Sequence, residues 1–329
     1  MSNQHKRLSL SALAKLVRKK ESTLILCHQN PDPDTLGSAF ALKELLECFG
    51  SSVRVACCDT PSKRFNFITG GRDLAYHTLD YERIIAVDVA SPTQLGGLGF
   101  LANSVDFTID HHEMNTRFSD YYEDFRASNC ENIYLLAKKT KMLKKLPTHF
   151  YECIYAGMSS DTGGFKYSNV KPETMSTACE VLKSGIDHAE INRVMFDSKT
   201  IEEIKAQRLT YEIMKLYCDN SLAIAMFTKE IKEKNGLVDG DISDAVNHVR
   251  GIEGVLVGLT LKQSSDDEKK FFLSSRSNAN IDVSQVCASI GGGGHKRAAG
   301  ATIRCESPEE ALELVVGLFS KAIEEYKKR

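Results

Sequence analysis

Acidic and histidine residues recur in this 329-residue chain where apolar runs end. His28 follows Thr23–Cys27, Asp88 follows Ile84–Val87, and Asp110, His111 and His112 follow Val105–Ile109. The segment His28-Gln-Asn-Pro-Asp32-Pro-Asp34-Thr-Leu-Gly37 opens a helical pattern, and Asp161 closes another in Met-Ser-Ser-Asp161-Thr-Gly-Gly-Phe. Each residue also has an ordinary structural reading. Asp34 could cap a helix starting near Thr35, Asp32 could be a solvated turn residue, and a lone histidine is commonly a satisfied core residue. Four such endings on one sheet edge point instead to a metal site. Carboxylates and imidazoles without thiols suit Mg or Mn better than structural zinc. Asp32, Asp34, Asp88 and Asp161 match the charge of two divalent cations, so the loaded site would accept an anionic phosphate. Two cations about 3.5–4 Å apart can activate a water and stabilise a leaving oxygen in an in-line displacement.

The elements that must position these residues alternate in type. Thr23–Cys27, Ser52–Cys57, Ile84–Val87 and Val105–Ile109 read as buried strands. Thr35–Cys48 carries Leu36, Ala39, Phe40, Leu42, Leu45 and Leu46 at helical spacing, and Ser128–Leu143 and His149–Met158 follow the same rule. Alternation of this kind predicts an α/β domain with a doubly wound, mainly parallel sheet and helices on both faces, whose strand carboxyl ends form a ligand crevice. Pro31 and Pro33 are expected to hold an extended loop in which Asp32 and Asp34 address different points. Ile201–Tyr217 reads as one long amphipathic helix joining this domain to a smaller C-terminal α/β domain. There, Leu222–Phe227, Gly254–Leu261 and Lys270–Ser275 are expected as strands, with Ser284–Ser289 and Glu309–Tyr326 as helices. The division expected is 1–195, a helical linker 196–220, and 221–329.

The second domain holds its own candidate site. Gly291–Gly294 precede His295, Lys296 and Arg297. Glycines such as Gly293 and Gly294 let backbone N–H groups approach an anion, and the following cations can bind phosphate or a nucleotide edge. A flexible turn with a solvated basic end is the plainer reading. It is not a Walker A loop, since no Gly-Lys-Ser/Thr follows at the right spacing. Arg276, in Leu-Ser-Ser-Arg-Ser-Asn278, is a further candidate.

Composition narrows the class. Hydrophobic residues make up 42% and charged residues 26%, as in an ordinary globular chain. Lys+Arg total 42 against 44 Asp+Glu, a net charge of −2, which argues against a protein built to grip long nucleic acid. No run approaches a membrane span, and Ser9, Ser11 and Lys15 interrupt the stretch that would have to be a signal-peptide core. Ten cysteines form no Cys-x-x-Cys pair, and several lie in apolar runs. Reduced core thiols in a cytoplasmic protein are expected.

The set His-x-x-Pro-Asp-x-Asp, Asp-x-x-x-Pro, Asp-His-His and Ser-x-Asp-Thr-Gly-x-Phe resembles the DHH phosphoesterase superfamily. Gly291-Gly-Gly-Gly-His295-Lys-Arg-Ala-Ala-Gly300 resembles the glycine-rich motif of the DHH-associated C-terminal domain. The five motifs occur in the expected order. Size and domain pairing most resemble the branch of bacterial oligoribonucleases (nano-RNases) that are also pAp phosphatases, whose relatives include cyclic-dinucleotide phosphodiesterases. The resemblance implies that His28 and Asp32 bind one Mn²⁺, that Asp34, His111 and Asp161 bind a second, and that Asp88 bridges them, with Mg²⁺ or Co²⁺ as alternative ions. It implies that His112 faces the substrate phosphate as acid or hydrogen-bond donor and that Asp110 orients the histidines. It further implies that Arg276 and His295, with Arg297, Asn278, Gly293 and Gly294, recognise the substrate away from the scissile phosphate. Short RNA oligonucleotides or small phosphorylated nucleotides are then the expected partners, not long duplexes or membranes. Monomer and homodimer both stay open. Cyclic- or linear-dinucleotide hydrolysis is the alternative activity; polyphosphate or pyrophosphate hydrolysis and non-catalytic nucleotide sensing fit the motifs less well.

Overall fold

The computed structural model describes residues 5–78 and 80–328. It divides into a unit that ends at Ser198 and a second that begins at Lys199.

The first unit is built on five strands, β1 (Thr23–Leu26), β2 (Val53–Ala56), β3 (Arg83–Val87), β4 (Phe107–Asp110) and β5 (Asp120–Glu123), in the order β2-β1-β3-β4-β5. Every pairing is parallel. β1 and β4 are buried at all four positions, as expected for strands covered on both faces. The chain winds outward from β1 to β2, then returns past β1 to β3. The order therefore reverses between β1 and β3, and a crevice outside the carboxyl ends of the strands is expected at this switch point.

The helices of this unit are α1 (Leu10–Leu16), α2 (Pro33–Glu47), α3 (Asn66–Thr69), α4 (Asn129–Lys139), α5 (Thr148–Asp161), α6 (Pro172–Leu182) and α7 (His188–Asn192). One sheet face packs against α2, α4 and α5 through Leu36, Phe40, Ile133 and Ile154. The other face, with Leu24, Leu26 and Ala86, is covered by Leu95, Leu98 and Leu101 of a 3-10 segment, Pro92–Ser104. The second covering layer is thus 3-10 rather than α. Its Gly-Gly-Leu-Gly run explains this, because glycine disfavours the α-helix and Gly96 adopts φ +53°.

Several sequence expectations shift at the boundaries. α2 begins at Pro33 and not Thr35, so Asp34 lies inside the helix and Asp32 is its cap. Pro33 at the first helical position needs no N–H and fits there. α4 stops at Lys139. β5 was not legible because Asp-Tyr-Tyr-Glu has no apolar run, although Tyr122 and Glu123 are buried.

In the second unit, α8 (Ile201–Ile213) and β6 (Lys215–Tyr217) replace the single helix expected over Ile201–Tyr217. Met214 turns extended, and β6 pairs antiparallel with β7 (Leu222–Phe227). The remaining elements are α9 (Lys229–Asn235), α10 (Ala245–Arg250), β8 (Val257–Gln263), β9 (Lys270–Ser277), α11 (Val283–Ala288), β10 (Gly293–His295), β11 (Ala298–Arg304) and α12 (Pro308–Lys327). The mixed sheet runs β10-β11-β9-β8-β7-β6. Alternation along β7 sorts its faces: Leu222 and Ile224 join the layer under α12, whereas Ala223, Ala225 and Phe227 pack with Ala206 and Leu209 of α8. α8 therefore packs into the second unit. α12 contributes Ala311, Val315, Phe319 and Ile323, one stripe at helical spacing. All ten cysteines are free thiols and six are buried as small hydrophobes. Among the described residues, no helix is long and apolar enough to cross a membrane.

The contact between α2 and α5 depends on a missing side chain. A Cβ at Gly37 would lie 2.5 Å from the Cys153 carbonyl oxygen on α5. Alanine is the better helix former by about 1 kcal/mol, but the clash with backbone is the larger effect at about 1–3 kcal/mol. Gly37→Ala should therefore lower the midpoint of thermal unfolding, measured by circular dichroism. A raised midpoint would show that the two helices separate without cost.

Candidate metal centre

The six candidate ligands come together at the crevice between β1 and β3. His28 follows β1, Asp88 follows β3, Asp110 ends β4 and precedes His111, and α5 ends on Asp161. Asp88 adopts φ +58°, a strained conformation for a residue with a side chain and one often found at functional sites.

Each ligand is oriented by a specific local bond. Asp32 Oδ1 accepts from the backbone N–H groups of Asp34 (2.9 Å) and Thr35 (3.0 Å), which caps α2. Asp34 is fully buried, and its carboxylate accepts from the N–H groups of Asn129 (2.7 Å) and Cys130 (3.0 Å), the first turn of α4. Those orphan donors and the helix dipole stabilise a carboxylate that would otherwise be costly to bury. His28 Nδ1 lies 2.7 Å from the Gln29 carbonyl oxygen, and His111 Nδ1 lies 3.1 Å from that of Arg126. A carbonyl only accepts, so both Nδ1 atoms carry hydrogen and both Nε2 atoms face the carboxylates.

Asp88 belongs to three donor clusters, with His28 and Asp32, with Asp34 and His111, and with Asp110 and His112. Its Oδ2 is 3.6 Å from His28 Nε2, and its Oδ1 is 3.4 Å from His111 Nε2. His28 Nε2 also lies 3.7 Å from Asp32, and His111 Nε2 lies 3.8 Å from Asp34 and 3.4 Å from Asp161. One carboxylate thus divides its oxygens between two histidine–aspartate groups. Asp88 Oδ1 is buried with no hydrogen-bond partner among the described residues. An orphaned buried oxygen amid hard N/O donors fits a divalent cation.

Proton affinities report the same crowding. Burial raises the Asp34 carboxyl, and the charges of Asp88 and Asp32 add to it, taking it to about 7. Asp161 rises through burial and then the charges of Asp34 and Asp32. Burial alone would lower His28, yet hydrogen bonds and charges from Asp32 and Asp88 push it up to about 12. Against the effect of burial, Asp32 and Asp88 move the other way, lowered by their bonds to His28 and His111.

His112 is arranged differently. Its Nδ1 lies 2.8 Å from Asp110 Oδ1, and Asn115 Nδ2 donates to Asp110 Oδ2. Asp110 thus orients His112 alone, while a backbone carbonyl orients His111. The carboxylate fixes the tautomer, with hydrogen on Nδ1.

In the second unit, Arg276 on β9, Ala298 on β11 and His295 on β10 share one row of the antiparallel sheet. Directly paired residues project from the same face, so Arg276 and His295 flank the small Ala298 about 9–10 Å apart. Arg297 sits in the hairpin turn, and its Nη1 donates to the Asn278 carbonyl. The glycine run is an edge strand rather than a loose loop. A Cβ at Gly294 would meet the Ala298 carbonyl oxygen at 2.6 Å, whereas one at Gly293 would meet open space. The Asn278 amide nitrogen donates to the Arg250 (2.6 Å) and Val255 (3.0 Å) carbonyls and fastens a loop.

Sequence reasoning missed Asn115, the first turn of α4, and Gly157. A Cβ at Gly157 would lie 2.2 Å from Cys130 Sγ and 2.6 Å from Asp34 Oδ1, so α5 approaches the ligand only because this residue is glycine. A glycine interior to an apolar helix was the available signal. Gly157→Ala should displace Asp34 and weaken cation binding by about 10- to 100-fold, read by titration calorimetry with Mn²⁺. Unchanged affinity would show that Asp34 is no ligand. Cation binding should also release protons and tighten as pH rises, since the raised His28 and Asp34 groups must deprotonate first. Calorimetry in buffers of different ionisation enthalpy measures this; affinity independent of pH would contradict it.

Comparison with known proteins agrees with this arrangement. Residues 22–158 match the DHH family N-terminal domain, and residues 219–324 match the DHHA1 domain. A probable bifunctional oligoribonuclease and PAP phosphatase NrnA from Streptococcus mutans is 28% identical over 288 residues, covering 87% of this chain and 90% of that one. The Bacillus subtilis bifunctional oligoribonuclease and PAP phosphatase NrnA is 24% identical over 294 residues, 88% of this chain and 92% of its own. The crystal structure of an exopolyphosphatase-related protein from Bacteroides fragilis shares the fold with a TM-score of 0.85, covering 97% of this chain and 96% of that one at 24% identity. With a DHH N-terminal domain followed by DHHA1, the chain belongs to the DHH phosphoesterases.

Proposed function

We propose that this protein hydrolyses short oligoribonucleotides to mononucleotides and removes the 3′-phosphate of pAp, using two divalent cations, with Mn²⁺ preferred. The observation that carries the reading is Asp88, whose two oxygens face two separate histidine–aspartate groups beside a histidine held by a carboxylate. Relatives that match over most of the chain carry oligoribonuclease and PAP phosphatase in their names.

On this reading His28, Asp32 and Asp88 hold one ion, and Asp34, His111, Asp161 and Asp88 hold the other. The ions, when bound, supply Lewis-acid activation of water and neutralise charge on the phosphate. The chain's own residues do the rest. Gln29 and Arg126 carbonyls keep the His28 and His111 Nε2 lone pairs turned inward. Asp110 holds the proton of His112 at Nδ1, so that Nε2 can hydrogen-bond the phosphate or protonate the departing oxygen. In the second unit, Arg276 and His295 provide charged contacts to the nucleotide, with Arg297 and the exposed backbone at Gly293 and Gly294 contributing more weakly.

Product analysis with Mn²⁺ on pAp and on oligoribonucleotides from two to about twenty residues tests the substrate class, the range spanning the ~4–16-nucleotide tracts of single-strand binders. Short substrates should be preferred and salt dependence should be shallow, because few phosphates are neutralised. Preference for the longest strands with a steep salt slope would overturn the reading. A second experiment separates the two units. Asp88→Ala should abolish metal binding and turnover together. Arg276→Ala and His295→Ala should keep the metal and lower kcat/KM on nucleotides by roughly 5- to 150-fold, while bis-p-nitrophenyl phosphate hydrolysis stays nearly unchanged. Equal losses on both substrates would contradict the assigned roles.

A further inference from the structure

The neighbouring strands β4 and β5 are each followed, at the edge of the sheet that carries the candidate ligands, by a loop with an apolar side chain left in water. Met114, two residues beyond His112, is 71% exposed, and Phe125, just past β5, is 40% exposed. Single exposed apolar residues are ordinary on a protein surface. Phe125 differs in where it is fixed. The next residue, Arg126, gives its carbonyl oxygen to His111 Nδ1 at 3.1 Å, and the Phe125 carbonyl itself accepts from Lys171 Nζ at 3.0 Å. The Arg126 guanidinium is held by Asp124 Oδ2 at 3.0 Å. The backbone that carries this aromatic residue is therefore held by Lys171 at its own carbonyl and by His111 at the next, one residue from the carbonyl that orients a candidate metal ligand.

We propose that Phe125 is a stacking platform for the nucleobase next to the scissile phosphate, and so sets the preference of the site for nucleotides over simple phosphoesters. The inference rests on the phosphoesterase reading above and adds to it a base-recognition element within the first unit. Aromatic residues beside cations are the chemistry with which single-stranded nucleic acids are gripped: the ring accepts any base, since every base has a π-face, and the cations meet the backbone. Arg126 and Lys171 supply the charges, and the bonds at the Phe125 and Arg126 carbonyls hold the backbone that carries the ring before substrate arrives, which reduces the entropy lost on binding.

The test compares the unmodified protein with Phe125→Ala and Phe125→Trp, using Mn²⁺ and 5′-phosphorylated diadenylate beside the same compound with hydrogen in place of both adenines. Stacking of one base corresponds to about 1–3 kcal/mol, or roughly 5- to 150-fold. Phe125→Ala should lower kcat/KM for the diadenylate by that factor through KM, leave kcat and Mn²⁺ affinity unchanged, and leave the base-free compound unaffected. Phe125→Trp should restore diadenylate hydrolysis. Equal loss on both compounds, or no loss on the diadenylate, would overturn the platform. Failure of the unmodified protein to hydrolyse diadenylate would instead overturn the proposed function, and binding of diadenylate by calorimetry would then carry the same comparison of variants.

Discussion

Four carboxylates and two imidazoles share one largely buried crevice, and mutual repulsion among the carboxylates is the constraint around which the first unit is organised. At such separations inside a protein, like charges disfavour ionisation strongly, and protons or cations must relieve them. The fold answers at each position. The start of α4 gives two N–H donors to Asp34, the start of α2 gives two to Asp32, and Asp88 faces histidines on both of its oxygens. A sheet whose winding reverses between β1 and β3 makes this possible, because the connections there leave the sheet on opposite sides of the strand ends.

Helix packing serves the same end. α5 delivers Asp161 from its last residue while passing close enough to Asp34 to exclude any side chain at position 157. Gly37 permits the same approach from α2. The core is thus shaped for the site as well as for burial, with glycines sitting where helix propensity alone would place alanine. In the second unit, the edge hairpin β10–β11 places His295 in one row with Arg276, and Gly294 is required by its close approach to Ala298 rather than for looseness.

Much of this was legible in the sequence because the informative residues punctuate apolar runs. His28, Asp88 and Asp110 could be placed at strand ends, and α12 from its stripe of Ala311, Val315, Phe319 and Ile323. Less could be read where stability comes from partners distant in sequence. β5 has polar ends and is held by β4 and by a bridge from Arg7 to Tyr121, both distant in sequence, so no local pattern announced it. Asp34 looked like a helix cap, while its actual partners lie 95 and 96 residues away on α4. Nothing local announced that the Asn278 amide nitrogen closes a loop through the Arg250 and Val255 carbonyls. Side-chain identity reveals what chemistry is available; which atoms are already engaged follows from tertiary contacts.

The carbonyls of Gln29 and Arg126 have an evolutionary consequence. Main-chain oxygen is present whatever side chain a codon specifies, so the tautomers of His28 and His111 are insulated from point mutation at positions 29 and 126. His112 lacks that protection, because its orientation passes through the side chains of Asp110 and Asn115. A substitution at position 29 or 126 therefore keeps the oxygen that orients its histidine, whereas one at Asp110 removes the oxygen that orients His112.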